Sequence, residues 1–171
     1  NKGVLYLHDK SPAEDIYNQF KDKSKQEAIF KNLLGYIKTN SAQILSKQSL
    51  ETFSPKFLAM LNNIQNPEHV GLHLVYSQLR TIEGIELFSA TLSQNGFNRF
   101  KIKQVNQNWV LDMDPQLLGT PMYALYTGTE DAVEREILRN IYNGSWKEVP
   151  KSLGSLVPKL IAPVMITFPE D

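Results

Sequence analysis

Short apolar runs that alternate with stretches of helical period constrain this chain more than any other feature. Leu72, Leu74 and Val75 lie in the first run, which closes on Tyr76-Ser77-Gln78. Met122 to Tyr126 form the second, closing on Thr127-Gly128-Thr129, and Val164-Met165-Ile166-Thr167 form the third. Between the first two, Ile82, Ile85, Phe88 and Leu92 recur at helical spacing up to Asn95-Gly96, a helix-ending pair. Between the last two, Val133, Ile137, Leu138 and Ile141 do the same as far as Asn143-Gly144, with acidic residues early and Arg135 and Arg139 later. Compact apolar runs suit parallel strands covered on both faces. Strands alternating with helices predict an α/β fold, a parallel sheet flanked by helices.

The rest of the chain is attached to that frame. Ser11-Pro12-Ala13-Glu14 is a helix start, with a capping Ser, Pro at the first helical position and a Glu that completes a capping box. Ile16, Tyr17 and Phe20, then Ile29, Phe30, Leu33, Leu34 and Ile37, read as one broken helix or two over residues 11–38. The polar stretch from Thr39 to Thr52 reads as a short helix or a linker, which sets a boundary near residue 46. Residues 1–45 are then an N-terminal helical extension or linker, and 46–171 carry the sheet. Ser54-Pro55 caps a further helix with Phe57, Leu58, Leu61 and Ile64 on one face, ending before Asn66-Pro67. Over 97–112, Phe100 and Ile102 alternate with Arg99, Lys101 and Lys103, and Asn106-Gln107-Asn108 precedes Trp109-Val110-Leu111, the pattern of an inserted β-hairpin. Lys151 to Leu160 suit one more short helix.

Composition narrows the function classes. At 171 residues, 42% hydrophobic and 21% charged, the chain has room for about one domain plus an extension and can bury a core. Eighteen Lys plus Arg balance eighteen Asp plus Glu, so binding to a polyanion must come from a local patch. The absence of cysteine excludes disulfides, thiolate nucleophiles and Cys-rich metal sites, and it permits a reducing compartment without requiring one. No run approaches the ~18 apolar residues of a membrane span, so a soluble chain with no membrane partner is expected. The lack of an initiator Met and the abrupt Phe168-Pro169-Glu170-Asp171 read as a segment of something longer.

Candidate chemistry is sparse. Neither Gly-x-x-x-x-Gly-Lys-Ser/Thr nor Gly-x-Gly-x-x-Gly occurs among the nine glycines, which argues against a phosphate-loop ATPase or a dinucleotide enzyme. His69 and His73 have the i, i+4 spacing of helical metal ligands but straddle a strand entry, and Asp112 and Asp114 read as solvated acids. No catalytic residue and no metal ligand is expected. Arg99, Lys101 and Lys103, on one hairpin face with Trp109 nearby, combine charge and stacking surface as single-stranded nucleic-acid binders do. A charged strand face guarding against aggregation has the same pattern. Thr127-Gly128-Thr129 before an acidic-first helix offers backbone N–H groups and hydroxyls to a phosphate, or simply an N-cap.

Taken in order, Ser54-Pro55-Lys56-Phe57 with Leu61, Leu72-His73-Leu74-Val75-Tyr76-Ser77-Gln78, Asn95-Gly96, and Tyr126-Thr127-Gly128-Thr129 with Arg135 resemble a known pattern. It is that of the second RecA-like lobe of superfamily 2 helicases and translocases, most similar to Swi/Snf-type ATPases and the related helicases of large DNA viruses. The resemblance covers about residues 50–167. It implies that Ser77, Gln78, Gly128, Thr129 and Arg135 face a DNA or RNA backbone across the mouth of the sheet, with 97–112 as an insertion.

The resemblance is incomplete. In the family, the strand like 164–167 leads into a Gly-rich element and then a Gln/His-and-Arg element that carries an arginine finger; Phe168-Pro169-Glu170-Asp171 stands here instead. The first lobe, with its phosphate loop and Mg-holding acidic box, is also lacking. ATP and Mg²⁺ are therefore expected only in the context of that missing lobe, which becomes an implied partner, and no ATP turnover is expected from this chain alone. The alternative is a non-catalytic protein-interaction module derived from such a lobe, docking through Ile29, Phe30, Leu33, Leu34 and Ile37.

Overall fold

The computed structural model describes residues 23–77, 82–128, 130–153 and 161–167. The chain divides into two compact units, 1–39 and 40–171. In the first, α1 (Lys23–Thr39) leaves Leu33 and Tyr36 exposed, with Ile29, Phe30, Leu34 and Ile37 half-buried. The Ser11-Pro12 helix start lies outside the described residues.

The second unit opens with α2 (Ser41–Ile44), α3 (Lys47–Phe53) and α4 (Pro55–Gln65), so the stretch from 41 to 53 holds two short helices broken at Leu45-Ser46. The Ser46 and Ser54 hydroxyls accept from the backbone N–H groups of Ser49 and Phe57, each at 3.3 Å, and satisfy donors that a helix start leaves unpaired. Pro55 follows at the first helical position, and α4 buries Phe57, Leu61 and Ile64.

Six strands follow among the described residues: β1 (His73–Tyr76), β2 (Asn98–Arg99), β3 (Ile102–Val105), β4 (Asn108–Leu111), β5 (Pro121–Tyr126) and β6 (Ile161–Thr167). Four of them form one sheet in the order β1-β6-β5-β2, every pair parallel, and β3 and β4 form an antiparallel hairpin. A π-helical turn (Ile82–Glu86) and α5 (Leu87–Gln94) link β1 to β2, and α6 (Ala132–Tyr142) lies between β5 and β6. Gly96 just past α5 and Gly144 just past α6 have φ of 92° and 71°, the left-handed conformation that ends a helix and that glycine adopts without penalty. This is the α/β class expected, a parallel sheet flanked by helices with a hairpin attached.

Each face of the sheet has its own core. Val75, Leu125 and Ile166 lie in one row by register, and Val75 and Ile166 meet Phe57 of α4 and Ile85 and Phe88 ahead of and within α5. The Tyr123 hydroxyl on the same face lies 3.0 Å from the Ser93 hydroxyl of α5. The opposite face presents Met122 and Ala124 to Ile137, Leu138 and Ile141 of α6, and Phe100, Ile102 and Trp109 complete that cluster. The chains leaving β1 and β5 thus run to opposite faces, with β6 between them.

Three expectations need correction. The hairpin does not span 97–112: Asn98 and Arg99 pair in parallel with Met122 and Tyr123, and the antiparallel pairing runs from Ile102 to Leu111. Alternation identifies strands but not their neighbours; a parallel neighbour needs a crossover of about a dozen residues, and the hairpin with the turn at Pro115–Leu117 supplies it. Trp109 is not an exposed stacking surface, since it is buried in the α6-side core. Nor is β1 enclosed on both faces: it is an edge strand whose Leu74 and Tyr76 are exposed. The two-residue hairpin turn at Asn106-Gln107 has positive φ at both positions, the twist that tight hairpins require. Of the helix expected over 151–160, residues 154–160 lie outside the described set.

Candidate nucleic-acid interface

Parallel pairing places Tyr76, Thr167 and Tyr126 in one row, so β1, β6 and β5 end flush. The next residues out, Ser77 after β1 and Thr127-Gly128 after β5, stand on one rim about 10 Å apart, two strand spacings across β6. Ser77 continues the ladder, its N–H donating to the Thr167 carbonyl at 2.9 Å. Open α/β sheets take ligands at such carboxyl ends, where successive connections diverge to opposite faces. Gln78 and Thr129 lie outside the described residues.

Beside Ser77, a hollow of about 120 Å³ is lined by Lys56, Phe57, Met60, Tyr76 and Gly84, among others. The helix start at Ser54 therefore sets Lys56 at the same rim as Ser77. The sequence carried Lys56 in a quoted motif but gave no signal that it belonged with the site residues.

At the other end of the rim, Thr127 is buried and both its N–H and its hydroxyl donate to Glu130 Oε2 at 2.8 Å. An internal carboxylate thus takes both Thr127 donors. Asp131 caps α6 by accepting from the Glu134 N–H at 2.8 Å. Arg135, one turn into α6, lays its guanidinium 5.9 Å from the centre of the Tyr126 ring, a cation–π contact that ties it to the last residue of β5. Gly128 is exposed between them.

Of the other basic residues, Lys101 and Lys103 are compensated. Lys103 Nζ lies 2.7 Å and Lys101 Nζ 3.9 Å from the Asp112 carboxylate, and the hydrogen bond from Lys103 holds that carboxyl below its ordinary value. Arg99 belongs to β2 rather than the hairpin; its half-buried side chain and Lys101 lie near enough for their charges to act on Glu134. Arg99, Lys101, Lys103 and Arg135 thus share one side of the unit with Asp112, Glu130, Asp131 and Glu134. The local field nearly cancels, and attraction for a polyanion there depends on directed contacts.

Glu134 titrates above its ordinary 4.5, first because it is desolvated and then because Glu130 and Asp131 repel its charge. A folded value above the unfolded one means that this carboxylate costs no stability below about pH 4.5 and its full cost once the pH exceeds the raised value. Glu130→Ala brings the Glu134 carboxyl part of the way back toward 4.5 in an NMR titration, with desolvation retaining the rest. An unmoved titration removes Glu130 as a cause.

The other residues singled out by spacing do not join the rim. His69 and His73 line a separate groove of about 550 Å³ at the amino-terminal end of the sheet, with Ile64, Asn95, Phe97 and Pro121 among its other walls. His69 Nδ1 is 3.0 Å from the Asn63 carbonyl, and Asp114 accepts from the Gln116 N–H at 2.9 Å to start a short turn. Among the described residues no three His, Asp or Glu gather as a metal site, and no described helix is long and apolar enough to cross a membrane. No protein-family model, no curated protein and no solved structure matches this chain.

Proposed function

We propose that residues 40–171 form a lobe that grips a nucleic-acid backbone at the carboxyl rim of its sheet, the part played by the second RecA-like lobe of a superfamily 2 helicase or translocase. One observation carries the reading: β1, β6 and β5 end flush, with Ser77 and Lys56 at one end of the row and Thr127-Gly128 and Arg135 at the other. These donors are a hydroxyl, backbone N–H groups and cations, the groups that hold phosphates and carry no base information. DNA and RNA fit them equally. A phosphate entering the Thr127 loop displaces the Glu130 carboxylate. In an intact motor, ATP and Mg²⁺ belong to the first lobe, and closure of that lobe on this one moves the grip along the strand.

The test is binding of a fluorescent single-stranded oligonucleotide by anisotropy across a salt series, with Arg135→Ala beside the native chain. Loss of one phosphate contact weakens binding at low salt and reduces the slope of log K against log salt by about 0.7. The contact with Tyr126 itself is worth ~0.5–1 kcal/mol, and a melting curve reads the loss of stability separately from the loss of binding. An unchanged slope excludes Arg135. Absence of any binding at low salt favours the second reading, an interaction module, for which the exposed Leu33 and Tyr36 of α1 speak.

A further inference from the structure

The outer edge of β1 stands apart from the rim and carries a different implication. Among the described residues β1 pairs only with β6, and it is the end strand of the sheet. Because the Ser77 N–H points to Thr167, alternation along the strand turns the N–H and C=O groups of Leu74 and Tyr76 away from β6, and those of Leu72 with them. The same three residues expose their side chains, at 51% for Leu72, 62% for Leu74 and 57% for Tyr76. Parallel strands are ordinarily covered on both faces, and sheet edges are ordinarily blunted by charge, proline or shortness. The opposite edge is blunted, since β2 has only two residues and leads into Lys101 and Lys103. The β1 edge is not: Val70-Gly71-Leu72-His73-Leu74-Val75-Tyr76-Ser77 contains no Lys, Arg, Asp, Glu or Pro.

We propose that this edge is a self-association surface, on which two copies of the chain join β1 to β1 in antiparallel fashion about a twofold axis through Leu74. In that register Leu74 opposes Leu74 of the second copy and Leu72 opposes Tyr76 in both directions, so the exposed apolar residues at 72, 74 and 76 all meet apolar partners. The outward-turned groups of Leu72, Leu74 and Tyr76 are then those that exchange hydrogen bonds, because each opposes another outward-turned residue. A twofold interface sets like against like on its axis, so it tolerates a neutral apolar residue there and rejects a charge. The absence of charge along the edge meets that requirement. The net charge of zero adds no long-range repulsion between copies. The product is a continuous eight-stranded sheet, and both carboxyl rims stay open.

Sedimentation equilibrium of the 171-residue chain tests this up to about 300 μM, a range suited to a small interface. The native chain rises with concentration from 19.5 kDa toward twice that mass. Leu74→Lys sets two ammonium groups face to face on the axis and weakens association at least ~10-fold, with its melting curve kept because the side chain is exposed. A second variant does not depend on that substitution's tolerance. In a chain without cysteine, Leu74→Cys places two Cα atoms about 5.5 Å apart across the axis, within disulfide range, so mild oxidation yields a covalent dimer. A mass of 19.5 kDa throughout overturns the proposal, as does a dimer that Leu74→Lys leaves intact or Leu74→Cys fails to cross-link.

Discussion

Trp109→Ala lowers the melting temperature of the chain by roughly 10–20 °C, the shift expected when ~3–5 kcal/mol is lost from a domain of this size. The indole is only 8% exposed and packs in the cluster that holds the hairpin and α6 against Met122. Removing it opens a cavity on that face, and total stabilities of about 5–15 kcal/mol leave little margin for such a loss. Fluorescence gives an independent check, because the second tryptophan, Trp146, is 47% exposed. The native spectrum contains a buried, blue-shifted component that the variant lacks. A stacking residue for nucleic acid behaves in the opposite way, with binding lost and melting unchanged. That outcome would refute the assignment of Trp109 to the core.

Phe88→Ala is expected to cost about as much on the other face of the sheet. Phe88 is 2% exposed, and its ring meets Phe57 edge-on at 5.2 Å between centroids and 61° between planes. Truncation removes the buried area, ~3–5 kcal/mol with its cavity, and the pair energy of ~0.5–1.5 kcal/mol falls within that loss. Phe53→Ala serves as the control in denaturant unfolding: Phe53 is 64% exposed, and its loss stays within about 0.5 kcal/mol. Similar midpoints for the two variants would mean that the Phe57–Phe88 contact does not anchor α4 and α5 to the sheet. Measured in Phe57→Ala as well, the same substitution isolates the coupling between the rings.

Much of the fold was legible because it rests on local chemistry. The Ser54-Pro55 cap, the glycine stops after α5 and α6, and the apolar runs of β1, β5 and β6 each state their element within a few residues. The order of strands was not legible, since periodicity identifies a strand but not its neighbours. For that reason Asn98 and Arg99 were read into the hairpin, and β1 was read as enclosed when it lies at an edge. Trp109, between Asn108 and Val110, gives no sign of which face is covered. At the rim, Ser77, Gly128 and Arg135 could be placed near strand ends from spacing alone. Glu130 could not, because a carboxylate that accepts from Thr127 looks in sequence like any early-helix acid. Lys56 could not either, because only packing brings α4 beside β1.

The pairing of β1 with β6 also sets a timetable. Residue 73 finds its partner at residue 164, so β1 has no neighbour in the sheet until nearly all of the intervening chain exists. At about 5–20 residues per second, the roughly ninety residues between them take on the order of 5–20 s to synthesise. The β3–β4 hairpin, closed by a two-residue turn, can form within microseconds of its emergence. The sheet therefore closes late, long after its pieces are formed, and Leu74 and Tyr76 pass that interval without β6 beside them.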